Sequence, residues 1–131
     1  MPTILLVDDH DDIRDMMKRR LQMHGYNVVT AVNGLEAVLA TAQAAPSLIL
    51  MDINMPELDG IEATMQIRAA DPEQRIPVIA LTAYALPGDQ ERATAAGCDG
   101  FHPKPVDFDI LFAQIHELIG DTSVPSESTN P

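Results

Sequence analysis

The chain carries one cysteine and no tryptophan, and only two tyrosines and three phenylalanines, in 131 residues. A single thiol, Cys98, excludes an intrachain disulfide and a cysteine-built metal cluster; it is compatible with a reducing compartment and reads as a small, partly buried residue. Basic residues are scarce, with 8 Lys and Arg against 20 Asp and Glu and a net charge of −12. A field of that sign repels polyanions. The one cationic run, Lys18-Arg19-Arg20, falls in a helical pattern as a solvated face, so no direct nucleic-acid partner is expected. No window approaches the ~18 apolar residues of a membrane span, and MPTILLVDD is a short apolar run closed by acids, unlike a signal peptide. A cytoplasmic protein without membrane association is expected.

What is present is ordinary for one folded domain: 46% hydrophobic and 21% charged residues, at a length within the usual range of ~100 to 150. Thr3 to Val7 is a bare apolar run stopped by Asp8-Asp9, as in a strand buried on both faces of a parallel sheet. A helix follows with Ile13, Met16, Met17 and Leu21 on one side and Gly25 as its stop. Asn27 to Val32 reads as a second strand. Asn33-Gly34 turns the chain into a helix with Leu35, Val38, Leu39 and Ala42 on one face.

Pro46 separates that helix from Ser47 to Met51, another bare apolar run, which ends at Asp52. The turn Leu58-Asp59-Gly60 then leads to a helix carrying Ile61, Met65 and Arg68. Pro77 to Leu81 is a fourth strand ending at Thr82, and Pro87 opens a helix that Gly97 terminates. This helix offers only alanines for burial and is weakly held. Gly100-Phe101-His102 is a short fifth strand, and Pro103, which has no N–H to donate, marks it as an edge. Phe108, Leu111, Phe112, Ile115, Leu118 and Ile119 form the strongest helical stripe, and the polar segment 121–131 after the domain at 1–120 is expected to be disordered.

Alternation of five strands with five helices predicts an α/β fold: a five-stranded parallel sheet in the order 2-1-3-4-5, with helices on both faces. In such sheets ligands sit beyond the carboxyl ends of the strands, where the winding reverses between the first and third. The polar residues at those ends are Asp8, Asp9, Asp52, Thr82 and Lys104. Three carboxylates brought together repel one another unless a cation neutralises them, and an oxygen-rich cluster suits Mg2+. With a metal, an ammonium and a hydroxyl donor around it, Asp52 can act as a nucleophile toward phosphorus, catalysis being alignment and charge neutralisation. His10, His24, His102 and His116 have no spacing that suggests a metal site.

These segments together resemble the receiver domain of the two-component response regulators, a flavodoxin-like fold, over residues 1 to about 120. ILLVDDHDD is similar to the family's acidic pocket, LILMDINMPELDG to its phosphoacceptor strand and loop, VIALTAYA to its Thr/Ser strand end, and GFHPKP to its lysine followed by proline. Any one of these is weak evidence; four in order are specific. The resemblance implies that Asp52 is the phosphoacceptor, that Asp9 binds Mg2+ directly and Asp8 through water, and that Asn54 lends its backbone carbonyl. Thr82, the Ala83 N–H and Lys104 would hold the phosphoryl oxygens, and the Lys104-Pro105 bond would be cis. Tyr84 stands where the family controls access to the phosphoryl group, and a ring there would slow hydrolysis. Phe101 stands at the family's aromatic switch position. Pro103 before Lys104 is a departure that would stiffen the fifth strand.

The implied function is a phosphorylation-dependent switch, not a true enzyme beyond self-catalysed phosphoryl acceptance and autodephosphorylation. It would be fed by a histidine kinase or a histidine phosphotransfer protein, and would act through a target docking on the fourth helix, fifth strand and fifth helix. Loop and tail composition is more similar to stand-alone regulators or receivers of hybrid kinases than to transcription factors, and a stand-alone regulator of the chemotaxis or cell-cycle kind is expected. Two rival functions fit the residues less well. A haloacid-dehalogenase phosphatase needs a second acid two residues after its nucleophile, where this chain has Asn54, and leaves no length for a cap. A pseudo-receiver serving only as a docking surface is opposed by the filled site positions.

Overall fold

The structure, a computed structural model, describes residues 2–55, 59–70, 76–83 and 87–119. The expected tail at 121–131, together with Leu58 and Tyr84, lies outside them. The elements alternate as β1 (Thr3–Val7), α1 (Asp11–Met23), β2 (Asn27–Ala31), α2 (Gly34–Ala44), β3 (Leu48–Asp52), α3 (Gly60–Ala70), β4 (Val78–Thr82), α4 (Asp89–Ala96), β5 (Gly100–Pro103) and α5 (Phe108–Ile119). All pairings are parallel, in the order β2-β1-β3-β4-β5, so β5 is the expected edge.

The three central strands are apolar over Ile4 to Val7, Leu48 to Met51 and Val78 to Leu81 because both of their faces are covered. Leu5, Val7, Ile49, Met51, Val78 and Ala80 point to the layer containing Ala37, Ala63, Ile67, Ala93 and Ala96 of α2, α3 and α4. The alternate residues Ile4, Leu6, Leu48, Leu50, Ile79 and Leu81 meet Met17 and Leu21 of α1 and Leu111 and Ile115 of α5. The period of two along each strand therefore divides one sheet between two cores. All six stripe residues of α5 join the second core, as their spacing predicts.

Helix faces were less legible. Leu35 and Leu39 of α2, Met16 of α1 and Met65 of α3 are exposed, and so is Ala42. Helix α2 approaches its neighbours through Gly34 and Ala37 with Val38 beside them, so its larger leucines face outward. Two boundaries also differ. Helix α4 begins at Asp89, not Pro87, because Gly88 at φ 89° lies outside helical geometry. Gly60 is the first residue of α3, not part of a turn before it; Asp59 Oδ1 accepts the Glu62 N–H at 2.9 Å, as a helix-capping side chain does.

Small shifts at the strand ends bear on the site. β3 and β4 run one residue further than the apolar patterns suggest, so Asp52 and Thr82 belong to the ladder, Asp52 pairing with Leu81 and Thr82 with Pro103. Their backbones are thereby fixed. Lys104 follows immediately, its N–H donating to the Thr82 carbonyl at 2.7 Å, and the Lys104-Pro105 bond is cis. A Cβ on Gly60 would lie 2.4 Å from the Asp52 carbonyl oxygen and 2.8 Å from Ile53 Cα, so α3 starts against the end of β3 only because residue 60 has no side chain.

Candidate functional site

Five of the expected residues converge at the carboxyl edge of the sheet. Asp8 and Asp9 follow β1, Asp52 ends β3, Thr82 ends β4 and Lys104 follows β5; Asp8, Asp52 and Thr82 are buried. Lys104 Nζ donates to Asp8 Oδ2 at 2.9 Å and Asp52 Oδ2 at 3.3 Å, with its side chain only 11% exposed. One ammonium thus bridges two buried carboxylates, the arrangement in which an ion pair most needs its geometry.

Asp52 Oδ1 accepts the Asn54 N–H at 2.9 Å. Burial pushes the Asp52 carboxyl above its ordinary range and the charge of Asp8 adds to this, while the Asn54 N–H and Lys104 pull the other way without cancelling it. For Lys104, burial favours the neutral amine, but the hydrogen bond to Asp8 and the two carboxylate charges outweigh it and raise its pKa. The nucleophile candidate is therefore poorly solvated, and its counter-ion is held charged.

Asn54 has a second role that sequence reasoning did not find. Its Oδ1 accepts both the Thr82 hydroxyl, at 2.7 Å, and the Ala83 N–H, at 3.0 Å. Two donors from the end of β4 already converge on one oxygen beside Asp52. Phe101 is half-buried, packed against the core beneath α2 to α4, and its carbonyl accepts from Gln114 Nε2 at 3.3 Å.

The acidic side of the site has an open coordination demand. Asp9 Oδ1 is buried and makes no hydrogen bond among the described residues, although His10 Nδ1 stands 3.2 Å away. The contact lacks hydrogen-bond geometry. Asp8, Asp9, His10 and Asp52 each present a donor atom, and these lie within 4.8 Å of one another. Carboxylates with one unsatisfied buried oxygen fit a hard divalent cation such as Mg2+. His10 was missed by a spacing argument because its signal is simple adjacency to Asp8-Asp9 at a strand end.

Two of the other histidines have structural partners, and His116 is exposed. His24 stacks on Phe112 with ring centroids 3.9 Å apart. His102 is buried, with Nδ1 2.8 Å from Gln114 Oε1 and Nε2 accepting the Asp107 N–H at 3.1 Å, which joins β5 to α5. Cys98 is buried and its thiol is pushed up by burial, so it is more deeply placed than expected and unsuited to nucleophilic work. Among the described residues no helix is long and apolar enough to cross a membrane.

Comparison with known proteins places this geometry. The profile of the response regulator receiver domain matches residues 4–116. The polar-differentiation response regulator DivK of Brucella anthropi is 34% identical over 119 residues, spanning 91% of this chain and 97% of DivK. The receiver domain of the Pseudomonas aeruginosa sensor histidine kinase PA1611, solved with a magnesium ion coordinated in its active-site cleft, superposes with a TM-score of 0.83 at 37% identity, over 91% of this chain and 98% of that one. A Saccharomyces cerevisiae response regulator receiver, solved with its histidine phosphotransfer protein, gives a TM-score of 0.85 at 28% identity, over 95% and 93% of the two chains. Receivers of these types are signalling domains, not true enzymes, and their general function is a phosphorylation-dependent switch. With an acidic pocket, a strand-end aspartate, a strand-end threonine and a lysine in one cluster, the chain belongs to the response regulator receiver-domain family.

Proposed function

We propose that Asp52 accepts a phosphoryl group from the phosphohistidine of a histidine kinase or histidine phosphotransfer protein. The observation that carries this reading is that Lys104 Nζ and the Asn54 N–H both donate to the Asp52 carboxylate, while Thr82 Oγ1 and the Ala83 N–H converge on the side-chain oxygen of that same Asn54. A carboxylate oxygen of Asp52 attacks phosphorus, the P–N bond breaks, and the imidazole of the donor leaves with the bonding pair. The chain supplies no separate base, since a carboxylate needs none. Lys104 neutralises charge on the phosphoryl oxygens, and the Thr82 hydroxyl and Ala83 N–H transfer to them from Asn54 Oδ1.

Asp9 and Asp52 would hold Mg2+ directly, with Asp8 through water and Asn54 through its backbone carbonyl. When bound, Mg2+ neutralises the carboxylates and the phosphoryl oxygens together. Support comes from Asp9 Oδ1, buried here with no hydrogen bond among the described residues, and from the magnesium in the PA1611 receiver. Autodephosphorylation is the later step, in which water displaces Asp52 from phosphorus and the phosphoryl group leaves as inorganic phosphate.

Output follows from the same donors. As Thr82 moves toward the phosphoryl group, half-buried Phe101 turns into the space behind it and alters the face made by α4, β5 and α5, where a target protein docks. Helix α4 buries only Asp89, Ala93 and Ala96, so little packing resists the shift. The negative charge and the absence of a membrane-spanning helix among the described residues favour work in the cytoplasm without direct nucleic-acid or membrane contact. Incubation with acetyl phosphate and Mg2+ should add phosphate to the full chain; undiminished labelling in excess EDTA would contradict the metal requirement.

A further inference from the structure

His10 faces the acidic pocket from the first position after the Asp8-Asp9 pair. Its backbone N–H donates to Asp8 Oδ1 at 2.8 Å, which holds the residue at the rim, and its Nδ1 stands 3.3 Å from Asp8 Oδ1 and 3.2 Å from Asp9 Oδ1. Donor atoms on one octahedral ion with bonds of about 2.1 Å are about 3 Å apart when adjacent. Nδ1 and the Asp9 oxygen, which make no hydrogen bond to each other, therefore already have the spacing of neighbouring ligands, while the contact of Nδ1 with Asp8 Oδ1 is a hydrogen bond that steers the ring toward the pocket. The side chain is 61% exposed, so no packing on its outer side fixes the ring away from an ion.

We propose that His10 gives this centre a nitrogen donor through Nδ1, making it a mixed oxygen and nitrogen site that favours divalent transition ions over Mg2+. This rests on the reading of the acidic pocket as a cation site. Carboxylate and water suit Mg2+, whereas imidazole adds most to the binding of ions later in the first transition row, so nitrogen at one position raises affinity for Co2+ far more than for Mg2+. An asparagine at the same position places an amide near Nδ1 and offers oxygen in place of nitrogen.

The test compares wild type, His10→Asn and Asp9→Asn as full chains, titrated with Mg2+ and Co2+ alone and loaded with Mn2+ for pulsed electron paramagnetic resonance. The expected result is 14N modulation on Mn2+ in the wild type and its loss in His10→Asn. Co2+ affinity should fall about tenfold while Mg2+ affinity changes less than about twofold. Retention of the 14N signal in His10→Asn, its absence from a metal-bound wild type, or parallel loss of Co2+ and Mg2+ binding overturns the proposal while leaving the cation site intact. Metal binding unaffected by Asp9→Asn overturns the underlying reading as well.

Discussion

Thr82 donates its hydroxyl to the amide oxygen of Asn54 at 2.7 Å, and the next residue's N–H reaches the same oxygen at 3.0 Å. Before phosphorylation, therefore, an uncharged oxygen occupies the attention of both donors. Thr82→Ala leaves the Asp52 carboxylate and its lysine in place but removes one of the two donors. It is expected to accept phosphate yet respond weakly, with amide shifts in α4 and β5 on adding beryllofluoride and Mg2+ well below those of the wild type. Thr82→Ser should restore them, and a Thr82→Ala response equal to wild type would contradict this role.

Asp52 carries a stability signature. Its folded-state pKa lies above the ordinary value of 3.8 because burial disfavours the anion. The folded state thus holds the proton more tightly than the unfolded state, and the side chain's contribution to stability falls as pH rises through the raised value. Asp52→Asn removes that penalty and leaves Lys104 paired with Asp8, so the metal-free variant should be more stable than the wild type at neutral pH. The gain should vanish below the ordinary carboxylate range, where Asp52 is protonated in both states. Denaturant melts across pH give the measurement, and a variant less stable at pH 7 than at pH 3, relative to wild type, would reverse the sign.

Lys104→Ala strips the counter-charge from two buried carboxylates at once. Loss of one partner from a buried pair is strongly destabilising, about 3 to 5 kcal/mol, and Mg2+ should recover part of it. A variant that accepts phosphate and switches normally would refute the role of Lys104 in linking the site to β5.

Gly60 bears on the site through space alone. A methyl group there meets the Asp52 carbonyl oxygen at 2.4 Å, so Gly60→Ala must push α3 away from β3. Overpacking of this kind costs about 1 to 3 kcal/mol, and the melting temperature and rate of labelling should fall together. Labelling at the wild-type rate in a folded variant would show that α3 can move without displacing Asp52.

Arg68 fastens the end of α3 to the segments that lead into β4 and β5, at the amino edge of the sheet. Its guanidinium donates to the Gly97 carbonyl at 3.1 and 2.8 Å, to the Ile76 carbonyl at 2.6 Å and to Asp99 Oδ2 at 2.9 Å. An ammonium cannot reproduce that fork. Arg68→Lys should therefore lose most of what Arg68→Ala loses, on the order of 2 to 3 kcal/mol in denaturant melts.

The sheet was legible because a parallel strand covered on both faces has to be apolar without interruption, and β1, β3 and β4 are. The site was legible for a related reason: Asp8, Asp52 and Thr82 are the first polar residues at the ends of those runs. Periodicity says less about helices that approach through small residues. Leu35 and Leu39 look like the buried face of α2, but Gly34 and Ala37 allow the closer contact and leave the leucines outside. The Asn54 side chain and His10 were illegible because their partners come from backbone geometry and adjacency, neither of which is a spacing pattern. Arg68 was assigned to α3, but its partners at Ile76, Gly97 and Asp99 are visible only once the chain is folded.

The central claim is that one carboxylate receives the phosphoryl group. Intact-mass and peptide mass spectrometry after incubation with acetyl phosphate and Mg2+ test it most directly. One phosphoryl group on the peptide containing Asp52, and none on Asp52→Asn under the same conditions, is the expected result. Equal phosphorylation of Asp52→Asn, or a phosphoryl group mapped to Asp8 or Asp9 in the wild type, would contradict the account.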